Sequence, residues 1–410
     1  MKRMQKKILI LGAGTSATML ANDLASKLHK EILNGEISVE VLAENIYHTF
    51  QPANLDVAFK GANPGDFVKS EISLLNARVE YVVDAASKIS LESNKVTTVS
   101  GKEVNYDYLV IATGSVADPS LLEGLEESSL NFHTGPFNAH KIWTAINELK
   151  SGTVVISIAG VPHKCPPSPI EASFLLDEFL RRKNLRNDVK IILTTPYARP
   201  YSAEPISEVV EPRLKKKGIE IMTFFNVSRV DPQAKKVYSM EGDDVSYDLL
   251  IAIPPHRGAK AVIDSGIGGK YGWVPTERDT LQIKGFENAF AMGDATDIPV
   301  SKSGVVAHLE SEVVSENIIA LLRNTGKLVA YNGRINCPME VGNRHGLFVS
   351  ATYTSQTQKQ TPSILKYVMK KAFGIAYWVV LSGKLNIIMS LYFGKTHYPK
   401  VEGEQQAPVS

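Results

Sequence analysis

An α/β architecture is predicted for this 410-residue sequence: two Rossmann-like units in tandem, then a helical tail. Three observations predict it. The apolar run Ile8–Leu11 leads through Gly12-Ala-Gly14-Thr15-Ser16-Ala17 into a helix-forming stretch reaching Leu28, which reads as strand, glycine turn, helix. Thr153–Ile158 repeats the strand about 140 residues later, and Tyr247-Asp-Leu-Leu-Ile-Ala-Ile-Pro254 echoes Tyr106-Asp-Tyr-Leu-Val-Ile-Ala-Thr-Gly114 at a similar offset, so the chain carries an internal duplication. From Pro362 to Phe393, apolar and aromatic residues alternate with lysines.

Composition narrows the function classes. A net charge of +2 gives no support to nucleic-acid binding, and 44% hydrophobic with 21% charged residues is ordinary globular usage. Two cysteines, Cys165 and Cys337, exclude a disulfide scaffold and a multi-cysteine metal or iron–sulfur site, so no metal is expected. Met1–Lys7 is basic, but the apolar run behind it is far too short for a secretory signal, and no cleaved leader is expected.

In the first unit Gly12 permits a tight turn, Gly14 lets the backbone approach a pyrophosphate, and Ala17 takes the helix-packing position; Thr15 and Ser16 open the helix. A second strand, Ser38–Leu42, ends near Glu44, an acid placed to bind ribose hydroxyls. His48-Thr-Phe-Gln51-Pro-Ala53 follows, then a polar stretch to Ser70 and strands at Val79–Val83 and Lys95–Val99. The strand before Ala112-Thr113-Gly114 runs into a small-residue turn that can lie against a dinucleotide. Asn288-Ala-Phe-Ala-Met-Gly293-Asp294 ends another strand in Gly-Asp, the pattern that meets a ribityl chain in two-dinucleotide-domain, glutathione-reductase-like flavoproteins. Together these turns predict bound FAD.

The second unit departs from the first at the matching turn. After the Thr153 strand stands Ala159-Gly-Val-Pro-His163-Lys-Cys165-Pro-Pro-Ser-Pro-Ile-Glu171, where four prolines remove donors and fix φ, and a helix is expected from Ala172 to Leu180. After the strand Val189–Leu193 comes Thr194-Thr-Pro196 with no acid or arginine. Both features argue against NAD(P)H as donor and favour a reductant that reacts with sulfur. In the tail, Gly383-Lys384 interrupts the apolar stretch Ala372–Phe393 at its middle, so two short helices lying in a membrane interface are expected rather than a span, with Lys366, Lys370, Lys371, Lys384 and Lys395 at headgroup level.

These motifs resemble the sulfide:quinone oxidoreductase family over essentially the whole chain. The resemblance rests on Lys164-Cys165-Pro-Pro-Ser-Pro-Ile-Glu171, on Tyr331-Asn-Gly-Arg-Ile-Asn-Cys337-Pro338, and on Pro299-Val-Ser-Lys302-Ser-Gly304, which in the family places a lysine and a helix start near the flavin. Many members carry a third cysteine in the segment matching Asn131–Pro136; here His133 stands about where it would be.

The resemblance implies a sulfide-oxidising enzyme in which a disulfide or trisulfide joining Cys165 and Cys337 captures HS⁻ and FAD carries two electrons to quinone. Cys337 is read as the sulfur nearer the flavin and Cys165 as the persulfide carrier, with the reverse assignment open. Lys302 stabilises the reduced flavin, Glu171 either handles protons or is a helix first-turn acid, and His133 and His163 are candidate bases or loop hydrogen-bonders. Phe348, Tyr353 and Phe393 are expected to line a quinone path, and Gly293 and Gly304 to join the FAD contacts. The expected partition is an FAD domain at 1–115 and 285–345, a second Rossmann-like domain at 116–284, and a quinone- and membrane-binding region at 346–410. Peripheral (monotopic) attachment to the cell membrane and a homo-oligomer follow from the same resemblance. A flavocytochrome-type sulfide dehydrogenase, an NADH:quinone dehydrogenase and a non-catalytic flavin redox sensor stand as alternatives.

Overall fold

The computed structural model describes residues 5–383 and 397–399. The first part of the chain forms β1 (Lys6–Leu11), α1 (Thr15–Lys27), β2 (Ile37–Ala43), α2 (Asn54–Lys60), β3 (Glu80–Val83) and β4 (Tyr108–Ile111). The middle forms β5 (Ser129–Leu130), α3 (Pro136–Glu148), β6 (Gly152–Ile158), α4 (Ser168–Arg182), β7 (Val189–Thr194), α5 (Glu204–Lys216), β8 (Ile219–Met222) and β9 (Leu249–Ile253). β10 (Ala289–Ala291), α6 (Gly304–Leu322), β11 (Ile335–Glu340), β12 (Gly346–Ala351) and α7 (Ile364–Leu381) complete these elements.

Two five-stranded parallel sheets carry the fold, in the orders β10-β4-β1-β2-β3 and β5-β9-β6-β7-β8. A three-stranded antiparallel sheet precedes β4 (residues 86–105), and another precedes β9 (residues 227–246). The duplication read from the sequence is therefore present as topology. β10 pairs with β4, so the chain returns to the first sheet after the second is complete. Ile8, Leu9, Ile10 and Leu11 are all buried, as a central parallel strand covered on both faces requires. β6 has the same character, with Val154, Val155 and Ile156 fully buried.

Two expectations are corrected. α4 begins at Ser168 rather than Ala172, because a proline in the first helical turn gives up only an amide that would have no helical partner. The polar stretch after Ala53 contains α2, whose Leu55, Val57, Ala58 and Phe59 are buried. The first tail helix is α7, which ends at Leu381, just before Gly383, where the interruption was expected; the second expected segment, Ile387–Phe393, lies outside the described residues.

α4 is pinned to the second sheet through Asp177, which is fully buried. Its carboxylate accepts from Arg181 Nε at 3.0 Å, Arg186 Nε at 2.8 Å and Lys217 Nζ at 2.6 Å. Burial alone would raise this carboxyl, but those hydrogen bonds outweigh it and hold the group below its ordinary value. A carboxylate depressed in the folded state contributes stability above its unfolded pKa, and that contribution is lost as pH falls through the folded value. Asp177→Ala is expected to cost about 3 kcal/mol in urea unfolding at pH 7, with a smaller difference from the unaltered protein below about pH 4; equal unfolding midpoints at pH 7 would refute the assignment.

Candidate active site

One cavity of about 610 Å³ opens at the carboxyl edge of the first sheet, and both cysteines line it. Its walls come from the turn after β1 (Ala13–Ser16), the turn after β4 (Ala112–Ser115), the start of α6, the Cys165 loop, β11 and the inner face of α7.

The loop holding Cys165 turns sharply. Cys165 adopts φ +51°, the left-handed region disfavoured for a side chain, and its backbone N–H donates to the Lys302 carbonyl at 2.8 Å. Ser168 N–H donates to the Cys165 carbonyl at 2.8 Å. Cys337 approaches from β11, where it is buried; its Sγ lies 3.4 Å from Ser303 Oγ and 3.6 Å from Ser301 Oγ. Ser303 caps α6, so the Cys337 sulfur sits at a helix amino terminus. Both cysteines are free thiols. Burial pushes Cys165 up to about 12, with Glu171 and Cys337 adding to the rise and Lys370 opposing it. Burial also raises Cys337, while hydrogen bonds with Ser303 and Ser301 oppose the shift.

Glu171 is buried in the first turn of α4 and accepts from the Glu340 backbone N–H at 2.6 Å, with Lys370 as its ion-pair partner. Lys302 donates to the carbonyls of Asp294 (3.0 Å) and Thr296 (2.9 Å) and lies 4.1 Å over the Trp273 ring. The cation that acts on Cys165 is therefore Lys370, a residue expected at headgroup level. Lys371 likewise turns inward, to Asp56 and Glu340. Burial of Glu171 and Glu340 favours a paired lysine over a solvated one.

His133 lines the cavity with its Nε2 3.3 Å from Ser168 Oγ. Burial holds it neutral, and His256, His163 and Lys164 add to that effect. His163 packs behind it, outside the lining, and burial lowers it to about 4. His256, which the sequence reading did not single out, completes this trio of rings, 5.3 Å from His133.

The cavity fits an FAD. No atom lies within 4 Å of where a Cβ on Gly14 or Gly114 would stand, so the backbone there is open to a ligand. A Cβ on Gly12, at φ +111°, would lie 2.5 Å from the Ala112 carbonyl oxygen, so glycine is needed for the two turns to meet. Thr113 Oγ1 is buried with no protein partner, and no side chain caps the amino terminus of α1. Thr15, Ser16, Gln51, Ala112, Asp294, Lys302 and Gly304 also line the cavity.

Other expected contacts fall elsewhere. Ala17 is buried in α1, and Gly293 donates its N–H to Glu310. Glu44 stands exposed just beyond β2, outside the lining. Phe348 and Tyr353 also lie outside it, and Phe393 is outside the described residues. Phe348 lies between the buried Leu347 and Val349, opposite Pro338 in the β11–β12 hairpin. Tyr353 packs on Tyr331 and donates to the Arg278 carbonyl at 3.0 Å. Aromatic lining comes instead from Phe50, Phe373, Tyr377 and Trp378. Lys370, Phe373–Gly374, Tyr377 and Leu381 recur at helical spacing along the inner face of α7.

The matching turn of the second sheet is closed to a dinucleotide. A Cβ on Gly160, after β6, would lie 2.5 Å from Pro255 Cα, and Thr194 at the end of β7 is buried, donating to Ser157 Oγ at 2.8 Å. Among the described residues no cluster of three metal-ligating side chains occurs, and no helix is long and apolar enough to cross a membrane.

Fold and cleft define a flavoprotein of the two-dinucleotide-domain class. Residues 6–156 match the model of the pyridine nucleotide-disulphide oxidoreductases. Within that class the chain is a relative of the sulfide:quinone oxidoreductases. It is 22% identical to the mitochondrial sulfide:quinone oxidoreductase of Mus musculus over 95% of this chain and 87% of that one. It is 23% identical to the sulfide-quinone reductase of Aquifex aeolicus over 93% of each chain. The X-ray structure of the Aquifex aeolicus sulfide:quinone oxidoreductase superposes with a TM-score of 0.87 at 21% identity, covering 99% of each chain. A Plasmodium falciparum NDH2 structure in complex with NADH shares the fold at a TM-score of 0.71 and 14% identity, covering 95% of this chain and 99% of that one.

The raised thiols give a direct test. In the reduced protein, alkylation of Cys165 by iodoacetamide is expected to be slow at pH 7 and to climb about ten-fold per pH unit toward its maximum near 12. A rate already maximal at pH 7, read by mass spectrometry of the labelled peptide, would contradict this picture.

Proposed function

We propose that this protein oxidises sulfide to polysulfide sulfur at Cys165 and Cys337 and passes two electrons through FAD to a quinone, resting on a membrane surface through α7. One observation carries the reading: two cysteines from distant segments line the same cavity as the dinucleotide turns of the first sheet.

In the oxidised state a disulfide or trisulfide joins the two cysteines. HS⁻ attacks the sulfur on Cys165, a new S–S bond forms there, and the old one breaks to release Cys337 as the thiolate. Ser303, Ser301 and the amino terminus of α6 receive that negative charge. That exchange is redox-neutral; two electrons leave when the Cys337 sulfur rejoins the Cys165 persulfide to restore the bridge, and FAD held at the Gly14 and Gly114 turns would supply the acceptor that relays them to quinone. Lys302 is held near the cofactor by the Asp294 and Thr296 carbonyls. Glu171 takes the proton released from the sulfide sulfur and is poised between Lys370 and the Glu340 amide. Sulfide is expected to bleach the yellow protein in anaerobic stopped-flow experiments, and NADH is not. Cys165→Ala or Cys337→Ala should slow the sulfide reaction by a factor on the order of 10³ or more. Bleaching by NADH alone would move the function to the NADH dehydrogenases.

The outer face of α7 supports membrane docking. Ile364, Leu365, Val368, Ile375 and Val379 are exposed along one helical stripe, with Ile375 82% exposed. Ile375→Glu is expected to lower partitioning into phosphatidylcholine vesicles about ten-fold in a flotation assay, since burying one such side chain is worth about 1.5–3 kcal/mol. Unchanged flotation would place the membrane contact elsewhere.

A further inference from the structure

We propose that Tyr377, His48 and Glu71 form a proton relay for the acceptor side of the cavity, an inference that rests on the quinone reading above. They come from three separate segments: α7, the strand Tyr47–Thr49 and the turn Glu71–Ser73. Tyr377 Oη lies 2.8 Å from Thr15 Oγ1 and 2.7 Å from His48 Nε2, and His48 Nδ1 lies 2.8 Å from Glu71 Oε2. The other Glu71 oxygen accepts from Thr18 Oγ1, whose hydroxyl also lies 2.9 Å from the Gly14 carbonyl of the dinucleotide turn. Carboxylate, imidazole and phenol thus stand in line, exposed by 0%, 1% and 5%.

A purely structural brace would not need this chemistry. Burying three polar groups in series costs desolvation that apolar side chains of similar volume avoid, and only complete satisfaction offsets it. The chain is satisfied at every link and ends at the cavity, which both Tyr377 and Thr15 line. Phe50 and Trp378 flank the phenol with ring centroids at 4.2 and 5.1 Å, forming an aromatic wall suited to a flat acceptor. Burial, reinforced by Glu71, raises the Tyr377 phenol and keeps its proton on oxygen until an acceptor draws it.

The proton count calls for such a route. Quinone becomes quinol by taking two electrons and two protons, whereas HS⁻ yields two electrons and one proton as its sulfur joins a sulfane chain. One further proton must therefore come from solvent in each turnover. Tyr377 gives its Oη proton to the acceptor's carbonyl oxygen as that oxygen gains electrons. His48 returns a proton from Nε2 to the phenolate while Glu71 holds its Nδ1 side, and the proton consumed in each turnover is replaced from solvent. Tyr377 is the catalytic member; His48 and Glu71 act through it as positioning residues.

The test uses the photoreduced holoprotein, so that no step depends on sulfide, and compares reoxidation by decylubiquinone with reoxidation by ferricyanide, which takes electrons without protons. In Tyr377→Phe and in the isosteric Glu71→Gln, the quinone rate relative to the ferricyanide rate is expected to fall about 100-fold. Decylubiquinone binding to Glu71→Gln, followed by quenching of tryptophan fluorescence, should stay within about three-fold of the unaltered protein, as expected for a residue acting on rate rather than affinity. Equal slowing with both acceptors, no slowing with either, or loss of quinone binding in step with rate would overturn the relay. If sulfide fails to bleach the unaltered protein, the donor assignment falls and this comparison still decides the relay; if quinone fails to reoxidise it, the acceptor assignment and the relay fall together.

Discussion

A single buried carboxylate ties together the three stretches that make the site. Glu171 stands in the first turn of α4, just beyond the Cys165 loop, accepts from the backbone of Glu340, three residues past Cys337, and pairs with Lys370 of α7. Because it is almost wholly inaccessible to water, removing either partner would strand a charge, at a cost of several kcal/mol. The ion pair thus fixes where two sulfurs and a helix meet. A second set of charges repeats the tie: Lys371 and Lys60 both reach Glu340, and each also reaches Asp56.

The site's electrostatics follow from its dryness. Burial disfavours a thiolate at Cys165 and at Cys337, so neither sulfur rests as a free anion, and negative charge forms there only when bond cleavage forces it. The two sulfurs differ in what receives that charge. Cys337 has two serine hydroxyls and a helix amino terminus with Glu171 and Asp294 opposing, whereas Cys165 has one serine hydroxyl, Ser168, and Lys370 with Glu171 opposing. This asymmetry favours Cys337 as the leaving sulfur on physical grounds that do not depend on how closely the chain matches any relative.

Much of the fold could be read from the sequence because its signals are local. Gly12, Gly14 and Gly114 mark turns whose backbone demands are met within a few residues, and the apolar runs at Ile8–Leu11 and Thr153–Ile158 are long enough to identify buried parallel strands. The cysteine loop was legible for the same reason, since its prolines announce a fixed conformation. Lys370 was not: a lysine in an apolar tail reads as a headgroup contact, and only tertiary packing reveals Glu171 facing it. Phe348 lies outside the cavity although its cross-strand partner Pro338 lines it, because aromatic character alone does not say which strand residues reach a cavity. The line from Glu71 through His48 to Tyr377 joins residues up to 329 positions apart in a single hydrogen bond, beyond any spacing rule.

α7 has two faces with different tasks, and its amphipathicity couples them. The inner face supplies Lys370 to Glu171, Tyr377 to Thr15 and His48, and its last turn to Asn22, whose amide donates to the Leu381 carbonyl at 2.9 Å. The outer face presents branched apolar side chains to solvent. A helix lifted from the body would lose the ion pair and the phenol together, leaving Glu171 uncompensated and Thr15 without its partner. A lipid surface that binds the outer stripe while the inner face stays docked therefore favours the assembled site over the lifted one, by as much as it prefers the docked helix. On the proposed reading, the segment that would meet a membrane and the segment that completes the cavity are the same helix.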